Sequence, residues 1–347
     1  DKKLSDQINL IMHGERFQQV ESAWRGLHHL VSNTETDEML KIRVMNISKK
    51  DLAKNLKKYK GTAWDQSPIF KKLYEEEYGQ LGGEPYGSLV GDYYFDHTPG
   101  DVELLGQMAE LIGAKGEAID WYGKVPRGDQ YIDSQLRIAV LLDDKGDTAG
   151  ARDRIRALRA EGIEDDAQLV DTYLLEAELA SKRGRQEDAV DVLRRGLEVL
   201  PDDQRLLYAR ALVYERMDRV EEALRDLQRM VALNPDDPDA LNALGYTLAD
   251  RTQRYEEAQV LIEKALALKP DEPAIIDSLG WVLFRRGEAA KAEIQLRKAF
   301  EMQPDAEIAA HLGEVLWSLG RRDEARRIWD EGKARDADNP TLRATVM

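Results

Sequence analysis

The stretch PDALNALGYTLADRTQRYEEAQVLIEKALALKP at residues 238–270 decides the fold of this chain. A second stretch of the same kind, PAIIDSLGWVLFRRGEAAKAEIQLRKAFEMQP, follows at residues 273–304. Apolar residues recur in each at helical spacing, which predicts two short amphipathic helices per stretch. A proline closes each copy because proline cannot continue a helix. The closing prolines of four copies are 34, 35 and 34 residues apart: Pro201, Pro235, Pro270 and Pro304.

Small and apolar residues recur in phase with these prolines. An alanine precedes each proline at a fixed distance, and an apolar residue follows each alanine four positions later. Small residues are expected where two helices cross closely, because a larger side chain would force the helices apart. A period of 34 residues with this pattern predicts a solenoid of helix–turn–helix units. The in-phase positions are Ala189, Ala223, Ala258 and Ala292, with Leu193, Leu227, Ile262 and Leu296.

These residues resemble the tetratricopeptide repeat (TPR) family. We expect a mainly α fold, with a TPR α-solenoid of about seven repeats over residues 105–340 and a C-terminal tail at 341–347. A small α+β segment with two strands is expected before it, at residues 1–104. The predicted helical units are 99–131, 132–169, 170–203, 204–237, 238–272, 273–305 and 306–340.

Three stretches are similar to a narrower group, the bacterial outer-membrane TPR lipoproteins. They are LNALGYTLADRTQRYEEAQVLIEKAL at 241–266, IIDSLGWVLFRRG at 275–287 and AAHLGEVLWSLGRRDEARRIWDEG at 309–332. In that group at least one member is an adaptor for a periplasmic carboxyl-terminal processing protease. The resemblance implies a scaffold that holds a partner and is not an enzyme. It also implies the periplasmic face of the outer membrane, while a removed signal or lipid anchor stays an open question.

The resemblance also implies a binding groove. In TPR proteins the first helix of each unit lines the concave surface with its second, fifth, ninth and twelfth residues. An aromatic-rich groove suits an extended peptide or a partner helix, and packing of these aromatics between helices is the alternative. Only Asn242 fits the clamp of chaperone-binding TPRs, so capture of a chaperone tail is not expected. The predicted groove residues are Tyr208, Asn242, Tyr246, Asp277, Trp281, Phe284, Glu314 and Trp317.

The first hundred residues show no such period. Helices are predicted at 1–12, 16–31, 49–59 and from Pro68 to about residue 78. Alternating residues predict strands at 39–47 (MLKIRVMNI) and 88–95 (SLVGDYYF). Two strands alone are marginal in water, so this segment is expected to borrow strands from another chain or to pair with itself.

This segment resembles the N-terminal part of the large sheath subunit of the bacterial type VI secretion system (TssC/VipB family). The similar stretches are FQQVESAWRGLHHLVSNTETDEMLKIRVMNISKKDL at 17–52 and DQSPIFKKLYEEEYGQLGGEPYGSLVGDYYFDHTPGDVELL at 65–105. The resemblance implies a cytoplasmic contractile sheath, in which a small subunit (TssB/VipA family) completes the sheet. The residues expected to meet that subunit are Leu40, Ile42, Val44, Leu89 and Tyr93.

The two resemblances meet near residue 105. After DVELLGQMA the chain continues as ELIGAKGEAIDWYGKVP, which is similar to a TPR rather than to a sheath subunit. Because the two families occupy different compartments, we interpret the chain as a chimera, with a natural fusion as the alternative. The chain is expected to be cytoplasmic if the sheath-like segment is native.

The charge and amino-acid composition exclude several kinds of partner and site. The 347 residues carry a net charge of −16, of which −15 lies after residue 100. Such a chain repels phosphate backbones, so nucleic acid is not an expected partner. The absence of cysteine excludes disulfides and thiolate sites, and no run is apolar enough for a transmembrane segment.

No catalytic, cofactor or metal site is expected. The Gly-rich loop at 82–87 (GGEPYG) lacks the P-loop and dinucleotide patterns. His28 and His29 point about 100° apart on a helix and lack a metal-binding partner pair. The carboxylate run at 75–77 spreads around its helix. Two roles stay open: a TPR scaffold that carries a sheath-like segment, and a sheath component whose TPR part is a tether.

Overall fold

The computed structural model describes residues 2–36, 40–59, 66–75, 90–111 and 113–346. The chain divides into two compact units, residues 1–151 and 152–347. The helices up to that boundary are α1 (Lys2–Met12), α2 (Glu15–Ser32), α3 (Lys49–Lys58), α4 (Pro68–Phe70), α5 (Pro99–Leu111), α6 (Lys115–Tyr122), α7 (Tyr131–Asp144) and α8 (Thr148–Ala160). A π-helical turn, Lys71–Glu75, continues α4, and α8 crosses the boundary between the units.

The second unit consists of helix pairs and one terminal helix. Every helix of a pair is 12–17 residues long, and short turns connect them. The helices are α9 (Asp166–Lys182), α10 (Gln186–Val199), α11 (Gln204–Arg216), α12 (Val220–Leu233), α13 (Pro238–Arg251), α14 (Tyr255–Leu268), α15 (Pro273–Arg285), α16 (Ala289–Met302), α17 (Ala306–Ser318), α18 (Arg322–Lys333) and α19 (Pro340–Val346).

The helix boundaries follow from local chemistry. Asp203, Asp237 and Asp305 each cap a first helix, because the carboxylate accepts a hydrogen bond from a free backbone N–H of the first turn. Between the helices of a pair, Gly184 and Gly287 adopt φ of +73° and +83°, a left-handed conformation that glycine accepts without strain. The period predicted from the sequence therefore corresponds to repeated pairs of capped helices.

The pairs of the second unit share one continuous apolar core. The in-phase alanines and their apolar partners are fully or almost fully buried in it. Gly245 and Gly280 lie where the two helices of a pair cross: a Cβ at Gly280 would be 2.5 Å from Leu296 Cγ. The last helix, α19, covers the end of the core with Leu342, which is 1% exposed. Such a terminal element is typical of repeat proteins, because an uncovered end repeat exposes its apolar face.

In the first unit, α5 contributes to two apolar clusters. Leu104 and Leu111 pack with Leu52, Ile69 and Phe70 of the sheath-like segment. Another side chain of α5, Ala109, packs with Ala118, Tyr122 and Ile138 of the helices that follow. The sheath-like segment and the first repeat-like helices therefore use the same helix for their cores.

The two predicted strands are not formed, which corrects the α+β prediction. Residues 40–47 and 90–95 have no regular secondary structure, and no strand occurs anywhere in the described ranges. Residue 39, residues 88–89 and the Gly-rich loop at 82–87 lie outside the described residues. Tyr93 Oη donates to Ile47 O over 2.9 Å, which joins the two stretches. A strand needs a backbone ladder, and these two stretches do not form one with each other.

No helix in the described part of the chain is long and apolar enough to cross a membrane. The longest described helix, α2, has 18 residues and carries polar side chains along its length.

Candidate functional site

The predicted groove residues lie on four first helices, α11, α13, α15 and α17, and their exposure differs widely. Tyr208 and Trp317 are 42% and 38% exposed, whereas Trp281 and Asp277 are only 6% and 5% exposed. Asn242, Tyr246, Phe284 and Glu314 are half-buried. Trp281 and Asp277 are thus buried beneath this face, and Tyr208 is exposed on it. The Trp317 ring instead contacts the second helix of its own repeat, α18, where it packs on Trp329 and lies under Arg322 and Arg326. Hereafter the groove face means the face formed by these eight residues.

His311 is the centre of the buried floor. Its Nδ1 lies 2.9 Å from Asp277 Oδ2, and its ring stacks on Trp281 with 4.3 Å between ring centroids. On the other side, Nε2 lies 3.4 Å from the hydroxyl of Tyr246, which donates to Glu307 Oε1 over 3.2 Å. The contacts join α13, α15 and α17, so three consecutive repeats share one polar network.

The pKa of His311 is set by opposing effects. Burial alone lowers the pKa, because it disfavours the charged imidazolium. The charge of Asp277 and its hydrogen bond outweigh burial, and the pKa of His311 is raised above its ordinary value. The network therefore favours a protonated ring that holds α15 and α17 together.

A second part of the floor surrounds Asp250. Trp281 Nε1 donates to Asp250 Oδ1 over 3.1 Å, which fixes the indole between two repeats. Arg285 donates to the backbone oxygen of Asp250 over 2.8 Å and forms an ion pair with its carboxylate at 3.5 Å. Phe284 packs beside Trp281 with 5.6 Å between ring centroids. These contacts hold the aromatic floor in one conformation.

Three half-buried carboxylates border the floor. Burial raises the pKa of Glu215, Glu307 and Glu314 because it disfavours the charged carboxylate. Thr247 Oγ1 donates to Glu215 over 2.7 Å and partly opposes that effect. Asn242 lies on the same face, and its Oδ1 is buried with no hydrogen-bond partner among the described residues.

The sequence analysis missed Glu215, Glu307 and His311 as members of this face. Glu307 is the second residue of its repeat and Glu215 the twelfth, so the groove positions of a TPR already include both. His311 is 1% exposed and lies between repeats. Only the three-dimensional contacts reveal its link to Glu307 through Tyr246.

The sheath-like residues form a different surface in the first unit. Leu40 and Val44 are 50% and 68% exposed, Ile42 and Tyr93 are half-buried, and Leu89 lies outside the described residues. An open depression lies between α2 and residues 40–44, and Leu27 and Val31 line its helical side. Helices α1 and α2 have no buried residue. Within the part of the chain that the structure describes, the apolar side chains of α1, α2 and residues 40 and 44 are therefore largely exposed.

Repeated helix pairs that share one continuous core define a helical-repeat protein. Family comparison agrees with that class. Residues 1–116 match the VipB family, described as EvpB/VC_A0108, tail sheath N-terminal domain. Tetratricopeptide repeat families match residues 177–243, 238–272 and 278–340. None of these families is an enzyme family.

Two relatives from Pseudomonas aeruginosa match the sheath-like part and the TPR part separately. The type VI secretion system sheath protein TssC1 is 75% identical over 114 residues, which are 33% of this chain and 23% of TssC1. The TPR repeat-containing protein PA4667 is 43% identical over 210 residues, which are 60% of this chain and 35% of that protein. The chain thus spans about a quarter and about a third of the lengths of these relatives.

A solved structure supports the fold alone. A tetratricopeptide repeat protein from Parabacteroides merdae superposes with a TM-score of 0.56 at 14% identity, and the match covers 72% of this chain and 98% of that protein. The family matches and the two relatives confirm the recognition of a TssC-like N-terminal domain followed by TPRs.

Proposed function

We propose that the groove face binds an extended segment of a protein partner. One observation carries this proposal: Tyr208 is 42% exposed on α11, and the first helices that follow it carry a floor that is fixed by hydrogen bonds and ring stacking. Exposed aromatic side chains on a rigid surface are the usual anchors of a protein interface. The chain would act as a scaffold and perform no chemistry.

The resemblance to the outer-membrane TPR lipoproteins suggests which partner to test. A carboxyl-terminal processing protease is the candidate partner of the groove face, and the purified protease is titrated against the full chain by calorimetry. Tyr208→Ser with Trp317→Ser is expected to weaken groove binding at least about tenfold, because exposed aromatic anchors contribute on the order of 2 kcal/mol each. Val260→Ser with Ile294→Ser is the matched control, since both residues are 66% exposed on second helices. Unchanged affinity in the aromatic variant contradicts the proposal.

We propose a second function for the sheath-like domain, which is to pair with a small sheath subunit. The observation that favours it is the uncovered apolar surface of α1 and α2, where Leu10 and Trp24 are 76% and 66% exposed. An open depression beside this surface is lined by Leu27 and Val31 of α2 and by residues 40–44, and it adds apolar area for a partner. Trp24→Asp is expected to abolish binding of the small subunit and to leave groove binding unchanged. Equal binding by this variant contradicts the second function.

The fusion itself can be tested by mass spectrometry of the native source. Trypsin releases residues 73–115 as one peptide, because no Lys or Arg lies between Leu73 and Lys115. Detection of this peptide in cells establishes a natural fusion and a shared compartment, for which we propose the cytoplasm. Peptides that diverge near residue 105 establish a chimera, and the TPR part is then assigned to the periplasmic face of the outer membrane.

A further inference from the structure

Three arginine side chains of the second unit share one buried carboxylate. Glu176 of α9 is 4% exposed, and its Oε1 accepts a hydrogen bond from Arg156 Nε of α8 over 2.8 Å. Arg159 of the same helix pairs with the other oxygen, Oε2. From the next helix, α10, Arg195 Nη2 lies 3.9 Å from Oε1. Three positive charges thus face one negative charge, so the cluster is net positive in a chain whose total charge is −16.

Arg159 is the arginine that neutralises Glu176. Its guanidinium also donates to the backbone oxygen of Thr172 over 3.2 Å and lies over the Tyr173 ring, 4.4 Å from the ring centroid. The Arg159 side chain is only 11% exposed. Burial of a carboxylate is costly without a cation, and Arg159 supplies that cation. The fold therefore does not require the charges of Arg156 and Arg195.

Arg156 and Arg195 are accessible from solvent, since their side chains are 45% and 39% exposed. Within the described ranges, Glu176 is the only carboxylate within ion-pair distance of either guanidinium. Arg195 Nε also donates to the backbone oxygen of Asp191 over 3.4 Å, whereas the Asp191 carboxylate is bound by Arg194. Because both arginines approach the same oxygen of Glu176, their guanidiniums are neighbours at the protein surface.

Another arginine cluster of the second unit is balanced in charge. Arg297 pairs with Glu293 and Glu324, and Arg321 pairs with the same two carboxylates. Two positive charges there meet two negative charges. The cluster around Glu176 differs, because its three arginines have no second carboxylate within ion-pair distance in the part of the chain that the structure describes.

We infer that Arg156 and Arg195 form a binding site for one phosphate group. A guanidinium donates in a planar fork that matches two oxygens of a phosphate or a carboxylate. A carboxylate has oxygens for one such fork, whereas a phosphate group has enough oxygens to accept from two forks at once. The overall negative charge of the chain repels a phosphate polymer, so the site suits a single phosphate group, either free or carried by a partner's side chain.

This site is separate from the proposed groove function. Its residues lie on α8, α9 and α10, whereas the groove face is formed by residues of α11, α13, α15 and α17. A phosphate bound here and a partner bound on the groove face would therefore contact different helices.

The test titrates the full chain with sodium phosphate at constant ionic strength and follows the arginine Nε–Hε resonances by NMR. We expect saturable shifts of the Arg156 and Arg195 resonances, and at least about tenfold weaker binding of acetate, because acetate satisfies one fork only. Arg156→Gln with Arg195→Gln should weaken phosphate binding at least about tenfold, with the Arg159 resonance as the reporter. This variant should still fold, because Arg159 keeps its pair with Glu176.

Arg205→Gln with Arg229→Gln is the matched control. These side chains are 52% and 55% exposed, and each already pairs with a carboxylate, that of Asp171 or Asp202. The control removes the same charge and should keep phosphate binding. Loss of binding in the control would assign it to net charge and overturn the inference. A wild-type titration that does not saturate, or acetate binding as tight as that of phosphate, would overturn it as well.

The two sources of the phosphate group are distinguished by the peptide Ala-phosphoserine-Ala in the same titration. Tighter binding of this peptide than of inorganic phosphate supports a phosphorylated partner. Equal or weaker binding of the peptide supports free phosphate as the ligand of the site.

Discussion

At the residue scale, His311 links stability to pH. Its raised pKa means that the folded state holds the ring proton more tightly than the unfolded state does. The stabilisation is fully present below the unfolded histidine pKa of about 6.5. It is lost as pH rises through the higher folded pKa. Asp277 supplies this effect, because its charge and hydrogen bond overcome the burial of the ring.

The prediction is that Asp277→Asn lowers the pKa of His311, since burial is then opposed only by the charges of Glu307 and Asp250. Side-chain NMR of the imidazoles resolves this, because the chain has only five histidines. His13 serves as an internal reference, being distant in sequence and on the first unit. A His311 that titrates at the same pH in the variant would show that Asp277 does not control its charge.

Glycines at helix crossings also act at this scale. A Cβ at Gly280 would lie 2.5 Å from Leu296 Cγ, and one at Gly245 would lie 2.6 Å from Ile262 Cγ1. We therefore expect Gly280→Ala to lower the free energy of unfolding by about 1–3 kcal/mol, the usual cost of overpacking. Urea denaturation measures this. Gly116→Ala is the control, because its Cβ meets nothing within 4 Å, and it should be neutral or slightly stabilising.

The positions of the crossing glycines can be predicted from the sequence, whereas the role of His311 cannot. The small positions repeat every 34 or 35 residues, so the period alone assigns Gly245 and Gly280 to helix crossings. His311 does not belong to a repeated pattern. Its role depends on side chains from three repeats that meet only after the helices stack, and sequence spacing does not contain that contact.

At the element scale, residues 40–47 and 90–95 show why the strand prediction was wrong for this chain. Their alternation fits a half-buried strand, and Val44 and Val90 are instead 68% and 87% exposed. Alternation expresses a preference, whereas a strand also requires a neighbour that supplies backbone hydrogen bonds. The chain supplies helices α3 and α5 beside these stretches: Lys49 binds Tyr94 O at 2.7 Å and Asp101 at 2.5 Å.

If a small sheath subunit adds the missing strands, residues 40–47 should gain slow amide exchange when it binds. We expect protection of alternate amides, because every second N–H of an added strand pair points to the partner. Hydrogen–deuterium exchange of the full chain with and without the purified subunit measures this. Val44→Asp should reduce the protection, and Val260→Asp on the second unit should not. Binding without protection at 40–47 would place the interface elsewhere.

At the scale of the whole molecule, the sequence predicted two families and the structure shows how the first unit accommodates both. The family match ends at residue 116, and the compact unit ends at residue 151. The difference arises from α5, which places Leu104 and Leu111 in the sheath-like core and Ala109 in the core of the following helices. Sequence similarity assigns residues by ancestry, whereas the folded unit is set by which side chains are buried together.

A buried ion pair also connects the helices on the two sides of the junction. Arg137 of α7 pairs with Glu110 of α5, and Tyr122 donates to the same carboxylate over 3.1 Å. Burial lowers the pKa of Arg137 to about 10, so the guanidinium stays charged at neutral pH and the pair persists. Removing one partner of such a pair leaves a buried charge, which costs about 3–5 kcal/mol.

We therefore expect residues 1–104 alone to be unfolded and residues 1–151 to fold. A chain cut at 104 ends inside α5: it loses Leu111 from the first apolar cluster and the whole second cluster, which contains Tyr122 and Ile138. Circular dichroism and limited proteolysis of the two fragments measure the difference. In the 1–151 fragment, Arg137→Met alone should lower the free energy of unfolding, because it leaves Glu110 buried and unpaired. Arg137→Met together with Glu110→Leu should recover that stability, because both charges are then removed. A cooperative thermal transition in the 1–104 fragment would show that the sheath-like segment folds on its own, and that α5 joins two domains which do not depend on each other.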